Sequence, residues 1–315
     1  MTSRTQKAYH MCEVMMMNRD EELKNRIIRM DNILATKSTR LDVAHQKLFY
    51  IALASINPLQ EDNEVVINKS YLFDYLGLKS ENKHTRLKEM FRKLAPKTWI
   101  EFEDEDGNWD SGFLISGVRS TRKNIIVRFD SYYLPLLTHL STNFTRLLSD
   151  DVVEFNSKFS MMLYQFLMRY NDNTKTMGPI TLSTKQLKKL FGLGDEDYCR
   201  KNGKFDRVSF EKKTLNVAIQ EINEKAECIS NLSYIKIYEH RKVKCYEFQY
   251  KTHDPQKIAD EKNQTELISQ VKQAREKISE NEPPEGQETI FDYGIEEPKK
   301  VKPSHYEWWN DLEEK

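Results

Sequence analysis

Between Tyr198 and Arg207 the chain sets Arg200, Lys201, Lys204 and Arg207 among the aromatic rings of Tyr198 and Phe205. Cations interleaved with aromatics suit a polyanionic partner, and these lead into a helical pattern whose first N–H groups also favour phosphate. That pattern, Val208–Glu224, puts Leu215, Ala218, Ile219 and Ile222 on one face and Ser209, Lys212, Lys213 and Asn216 on the other. Asparagine and lysine have the donors and acceptors to meet base edges in a DNA major groove. Arg241, Lys242 and Lys244 follow at a predicted hairpin. An earlier set matches this one. Lys83, His84, Thr85, Arg86, Lys88 and Arg92 lie off the apolar stripe Leu87, Phe91, Leu94 of a predicted helix Lys83–Leu94, and Arg119, Arg122 and Lys123 mark a hairpin after it. The chemistry on offer is recognition of nucleic acid.

Covalent chemistry is hard to place. No Gly-x-x-x-x-Gly-Lys-Ser/Thr loop occurs, so a Walker-type nucleotide hydrolase is not expected. The 7 histidines form no His-x-His pair, as a metal-dependent nicking enzyme would need, and no Gly-x-Ser-x-Gly elbow is present. The 4 cysteines, Cys12, Cys199, Cys228 and Cys245, form no CxxC pair, which points to free thiols and no zinc site. The acidic run Glu101–Asp106 falls in a predicted hairpin and is expected to be a solvated turn. The expectation is a protein that is not an enzyme and needs no cofactor or metal.

The elements that carry the two basic sets repeat. Ile67–Leu78 resembles Leu182–Leu193 at an offset of 115 residues, with Leu72 over Leu187, Leu76 over Phe191, Gly77 over Gly192 and Leu78 over Leu193. Each copy predicts a short strand, a polar N-cap and a short helix ended by Gly at C′. The same offset lays the helix Val43–Ile56 over Lys158–Tyr170. The helix bearing Leu87, Phe91 and Leu94 matches that bearing Leu215, Ile219 and Ile222 at an offset of 128. Strands near Thr98–Glu103, Gly112–Arg119 and Asn124–Phe129 follow the first, with Gly107 and Gly117 at turns. Strands near Ser233–Glu239 and Lys244–Tyr250, joined by His240–Val243, follow the second. Helix, short helix, helix and hairpin is the order of a winged helix, and here it occurs twice. The predicted class is α+β, with tandem winged-helix domains.

The net charge of zero conceals an asymmetry. From Asp254 to Lys315 acidic residues outnumber basic ones 16 to 9; with 49 of each in the chain, residues 1–253 carry 40 basic against 33 acidic, a net +7. A basic body with an acidic tail fits an anionic partner for the body. No run approaches a membrane span, and the methionine-rich N-terminus is interrupted by acids, so a cytoplasmic protein is expected. Residues 254–280 suit a charged helix, while the Pro-, Gly- and Glu-rich stretch beyond it is expected to be largely disordered.

Three segments carry a family resemblance: Asp31-Asn-Ile-Leu before the helix Val43–Ile56, the stretch 157–167 around Leu163-Tyr164, and Phe210–Asn223 with its Ala218-Ile219-x-Glu221-Ile222-Asn223 ending. They resemble the initiator proteins of iteron-carrying, theta-replicating plasmids, over roughly residues 30–250. The resemblance implies two winged helices related by pseudo-two-fold symmetry that grip directly repeated origin DNA. It also implies a monomer that initiates and a dimer, formed through the first domain, that represses its own promoter. On that basis the chain divides into an extension (1–30), a first domain for dimerisation and DNA-backbone contacts (31–145), a second that reads bases (146–252) and a charged helix with tail (253–315). The residues do not fix which copy reads bases; the longer basic loop and Asn216 favour the second.

In the tail, Gln287, Ile290 and Phe291 resemble the short Gln-x-x-Leu-Phe peptide that docks on bacterial sliding clamps, so host replication proteins are expected partners. Tyr306, Trp308 and Trp309 offer a second anchor or fold back on the body. Two alternatives stay open: a winged-helix transcription regulator with no replication role, and a protein-interaction scaffold.

Overall fold

The computed structural model describes residues 25–35, 41–79, 81–103, 107–141, 144–170 and 180–279. Residues up to Thr265 form one compact unit and those from Glu266 a second.

The first copy runs β1 (Ile27–Asp31), α1 (Asn32–Ala35), α2 (Val43–Ala54), β2 (Glu64–Asn68), α3 (Lys69–Tyr75) and α4 (Lys83–Leu94), then β3 (Trp99–Glu103), β4 (Trp109–Phe113), β5 (Ile115–Ser120) and β6 (Asn124–Phe129). The second runs β7 (Phe144–Leu148), α5 (Ser149–Glu154), α6 (Lys158–Met168), β8 (Ile180–Ser183), α7 (Thr184–Leu190), α8 (Arg207–Phe210), a π-helical turn (Glu211–Leu215), α9 (Asn216–Lys225), β9 (Ile229–Glu239) and β10 (Lys242–Thr252). A long helix, α10 (Pro255–Ser279), follows. Two antiparallel sheets have the order β2-β6-β5 and β8-β10-β9, and the pairs β1-β7 and β3-β4 complete the fold.

The repeat is realised element by element. The short helices α3 and α7 lie 115 residues apart at both ends. Each is capped by the residue before it: the Asn68 side chain accepts the Ser70 N–H, and Ser183 forms a reciprocal capping box with Gln186. Each ends at a left-handed glycine, Gly77 or Gly192, where a Cβ would be strained. The N–H of the next residue then reaches back, Leu78 to Phe73 at 2.7 Å and Leu193 to Lys188 at 2.8 Å, as a Schellman motif requires.

Equivalent residues also meet one another, which locates a pseudo-two-fold axis. Antiparallel β1 and β7 pair about Arg29 and Arg146, each third in its five-residue strand. On α2 and α6 the Tyr50 hydroxyl donates to Gln165 Oε1, again 115 residues away and fully enclosed. Adjacent carboxylates at the start of α5 face opposite ways along this seam. Asp150 accepts from the Tyr75 hydroxyl (2.6 Å) and the Asn25 N–H (3.1 Å) of the first copy. Asp151 turns into the second, accepting from Tyr164 Oη (2.6 Å) and the N–H groups of Glu227 (2.9 Å) and Cys228 (3.1 Å). The buried apolar residues of both copies form one continuous cluster.

Several local expectations need revision. The segment Gly112–Arg119 is two strands broken at buried Leu114, so the first copy has an extra hairpin, β3-β4, besides its wing β5-β6. Gly117 lies within β5 at a bulge in its pairing with β6, not at a turn; Gly107 is at a turn, with φ of 81°. The second wing is longer than its pattern suggested, because His240 and Arg241 both adopt positive φ and close a two-residue turn. Strand β1 starts inside the segment assigned to an N-terminal extension, and β7 lies across the expected boundary between residues 145 and 146. The charged helix is present as α10, and in the second unit it exposes Leu267, Ile268 and Val271.

Candidate nucleic-acid interface

In the second copy the third helix is α8, the π turn and α9 in one continuous run. Phe210, Thr214, Leu215, Ala218 and Ile222 are fully buried, whereas Ile219 is only half-buried. Leu215 lies five positions after Phe210, a spacing that a regular helix would rotate off the core face. The π turn restores it, with the Asn216 N–H bonding to Glu211 O five residues back. Thr214 Oγ1 satisfies the Phe210 carbonyl at 2.7 Å.

The same turn buries Glu211, which binds the helix to its wing. Its carboxylate accepts from Lys236 Nζ of β9 (2.6 Å) and Tyr246 Oη of β10 (3.0 Å), and Arg207 Nε lies 3.5 Å away. Burial and the neighbouring Glu211 carboxylate push the Tyr246 hydroxyl well above the ordinary tyrosine range, so it stays a donor. The Ala-Ile-x-Glu-Ile-Asn ending has a physical reason too. Glu221 accepts the N–H groups of Asn156 (2.7 Å) and Ser157 (3.0 Å) at the start of α6, and Asn223 pairs with both backbone groups of Leu232 at 2.8 Å.

Burial alone would raise the Glu221 carboxyl pKa, but bonds from Lys225, Asn156 and Ser157 outweigh it and hold the pKa below the usual range. A depressed folded-state pKa contributes stability above the unfolded value of about 4.3 and loses it as pH falls through the folded one. Urea midpoints should therefore drop on acidification from about pH 5, and Glu221→Gln should flatten that limb. An unchanged limb in the variant would remove Glu221 from the acid response.

Of the residues singled out in the second copy, Arg200, Lys201, Lys204, Lys212, Lys213, Asn216, Arg241, Lys242 and Lys244 are exposed, and Arg207 and Ser209 are half-buried. Some have internal partners. Ser209 is held by Asp206, which caps α8; Arg200 Nε lies 3.3 Å from Asp206. Lys244 pairs with Glu239 (3.0 Å), and Asn216 Oδ1 accepts from Tyr234 Oη (3.1 Å). Sequence periodicity missed Val208 and Val217, exposed on the third helix, and Tyr238, exposed on the wing. Apolar groups there suit thymine methyls and sugars. Their signal was an apolar residue off the core stripe.

In the first copy α4 has the expected ends, with Leu87, Phe91 and Leu94 buried. His84, Thr85, Arg86, Lys88 and Arg92 are exposed, as are Arg119, Arg122 and Lys123 on the wing. Lys83 is half-buried, its ammonium 4.7 Å from the Phe73 ring, and the His84 ring lies nearly perpendicular to that ring, 4.7 Å between centroids. Arg92 lies 3.5 Å from Glu89. Lys69 adds a cation at the wing by donating to Thr121 O. Gln287, Ile290, Phe291, Tyr306, Trp308 and Trp309 lie outside the described residues. Among the described residues no group of three or more His, Cys, Asp or Glu is placed to share a metal ion, and no helix is long and apolar enough to cross a membrane.

Residues 27–168 match the sequence model described as Initiator Replication protein, WH1, and residues 183–250 match that described as Initiator Rep protein, WH2. Between them these matches take in well over half of the chain. The structure is similar to that of the Pi initiator protein, which was crystallised in complex with iteron DNA. The TM-score is 0.61 at 22% identity, over 73% of this chain and 99% of that one. At that identity the likeness is one of fold. No curated protein sequence gives a significant match. The two winged helices match the two family domains in order, and the chain belongs to the initiator replication protein family.

Proposed function

We propose that this initiator starts plasmid replication by binding directly repeated origin DNA, the iterons, as a monomer that spends both winged helices on one repeat. The observation that carries this reading is the pair of third helices and wings, each with cations on its outward face. Two unlike domains in one chain form an asymmetric reader, so its sites repeat head to tail; a palindromic operator mirrors a symmetric dimer. The second domain (146–252) would read bases through Ser209, Lys212, Lys213 and Asn216, and the first (31–145) would hold the backbone. The site resembles the Pi initiator in fold, and what that protein binds lends the reading its substrate class.

A dimer formed through the first domain and repressing its own promoter fits the outer face of β3-β4, where Trp99, Trp109 and Phe113 are exposed. A cytoplasmic location suits a partner that is DNA. Docking on a sliding clamp rests on Gln287, Ile290 and Phe291, and clamp capture that survives Ile290→Ala with Phe291→Ala would end it. Titrating the protein with a duplex of tandem repeats over a range of salt tests the main proposal. Affinity should fall steeply with salt and exceed that for scrambled duplex by about a thousandfold or more. Equal affinity for both would leave only a nonspecific binder or a scaffold.

A further inference from the structure

Lys188 lies on α7, where periodicity makes it an ordinary surface cation, yet it is 8% exposed. Its ammonium donates to three backbone carbonyls of the loop before the third helix: Gly194 O (3.4 Å), Asp195 O (2.8 Å) and Asp197 O (2.7 Å). An ammonium has three donors, and here all three are used. The same nitrogen lies 4.8 Å from the centroid of the Phe205 ring. Phe205 and Tyr198 in turn pack on Phe210, the first buried ring of the third helix, each at 5.6 Å.

Between those rings the loop makes a small hairpin. Cys199 bridges Phe205, the Arg200 N–H bonds to Lys204 O at 2.9 Å, and Gly203 turns the chain at a φ of 75°. Arg200, Lys201 and Lys204 stand exposed on that hairpin. The repeat supplies an internal comparison. The position 115 residues earlier is Phe73, an apolar residue on α3, and the loop there spans only 76–82, against 191–206 in the second copy. A lysine replaces the core phenylalanine in the copy whose long loop turns carbonyls inward.

We propose that Lys188 is the positioning residue of the second domain's approach to DNA. Its enclosed ammonium gathers the carbonyls of Gly194, Asp195 and Asp197 and so fixes the hairpin that presents Arg200, Lys201 and Lys204 to phosphates. This rests on the DNA-binding reading of the second domain. Lys188 itself is buried and touches no phosphate, so removing it changes the salt dependence of binding only through the loop.

The test uses the full chain with Lys188→Met, Lys188→Arg and the triple variant Arg200→Ala, Lys201→Ala, Lys204→Ala. In Lys188→Met, hydrogen exchange at the Arg200, Gly203 and Asp206 amides should accelerate at least tenfold. The slope of log affinity against log salt should become shallower by about two to three units, as in the triple variant. Combining the methionine and triple changes should add little, since both remove one element. Lys188→Arg, which keeps the charge and donors, should recover most of the slope. Should the methionine variant not fold, Lys188→Gln, with one amide donor group, carries the same expectations at smaller size.

Unchanged loop exchange, an unchanged slope, or losses that add in the combined variant would overturn the proposal. So would a triple variant that binds normally while Lys212→Ala with Lys213→Ala weakens binding, and in that case the DNA-binding reading stands. If neither set alters binding, the reading of the second domain itself fails.

Discussion

Replacing Lys212 and Lys213 together by alanine is expected to weaken binding to a specific duplex by at least about 30-fold near physiological salt. Both side chains are exposed on the π turn of the third helix, with no ion pair among the described residues. A lysine that neutralises a phosphate releases about one counterion, worth about 1 kcal/mol at that salt, so the pair contributes about 2 kcal/mol. The slope of log affinity against log salt should become shallower by about two units. Stability should hardly move, because neither side chain is part of the core. A base-reading role would add a loss confined to one or two positions of the site. Intact affinity in the double variant would displace the second domain as the main reader.

Replacing Asp151 by alanine should lower stability by about 3–5 kcal/mol, read as a shift of the urea midpoint. The carboxylate is buried, and burial pushes its pKa up against the bonds from Tyr164, Glu227 and Cys228 that favour the charged form. Truncation strands the Tyr164 hydroxyl and two backbone N–H groups in the core, each a full desolvation penalty. These groups sit at the root of β9, so the wing should loosen with the core and DNA affinity should fall as well. A loss under about 1 kcal/mol would mean that water reaches the site and the carboxylate is not a core strut.

Much of the architecture was legible because the chain states it twice. Ile67–Leu78 and Leu182–Leu193 share their caps, their apolar spacing and their terminal glycine, and α3 and α7 keep that offset to the residue. The outward cations of both third helices were readable for a simpler reason: a 3.6-residue period sorts core from surface without tertiary knowledge. Glu211 and Lys188 escaped for the converse reason. Charged residues on an amphipathic pattern look solvated, and their burial is created by partners distant along the chain, Lys236 and Tyr246 for one and a folded loop for the other. The π turn also escaped, since one extra residue between Phe210 and Leu215 reads only as a slip in the stripe. Pairing of Arg29 with Arg146 was invisible because strand register across a pseudo-two-fold belongs to the assembled fold.

The family marks, by contrast, were visible before their reason was. Tyr164 engages Asp151 and Gln165 engages Tyr50, while Glu221 and Asn223 tie the third helix to α6 and to the wing. These residues hold the two domains, the third helix and the wing in place.

Footprinting on the DNA beside the protein's own coding region separates a reader of direct repeats from a binder of any other kind. An asymmetric two-domain reader predicts several protections in the same orientation, spaced by about two helical turns, roughly 20–22 base pairs. A single palindromic protection, or none that survives competitor DNA, would contradict it.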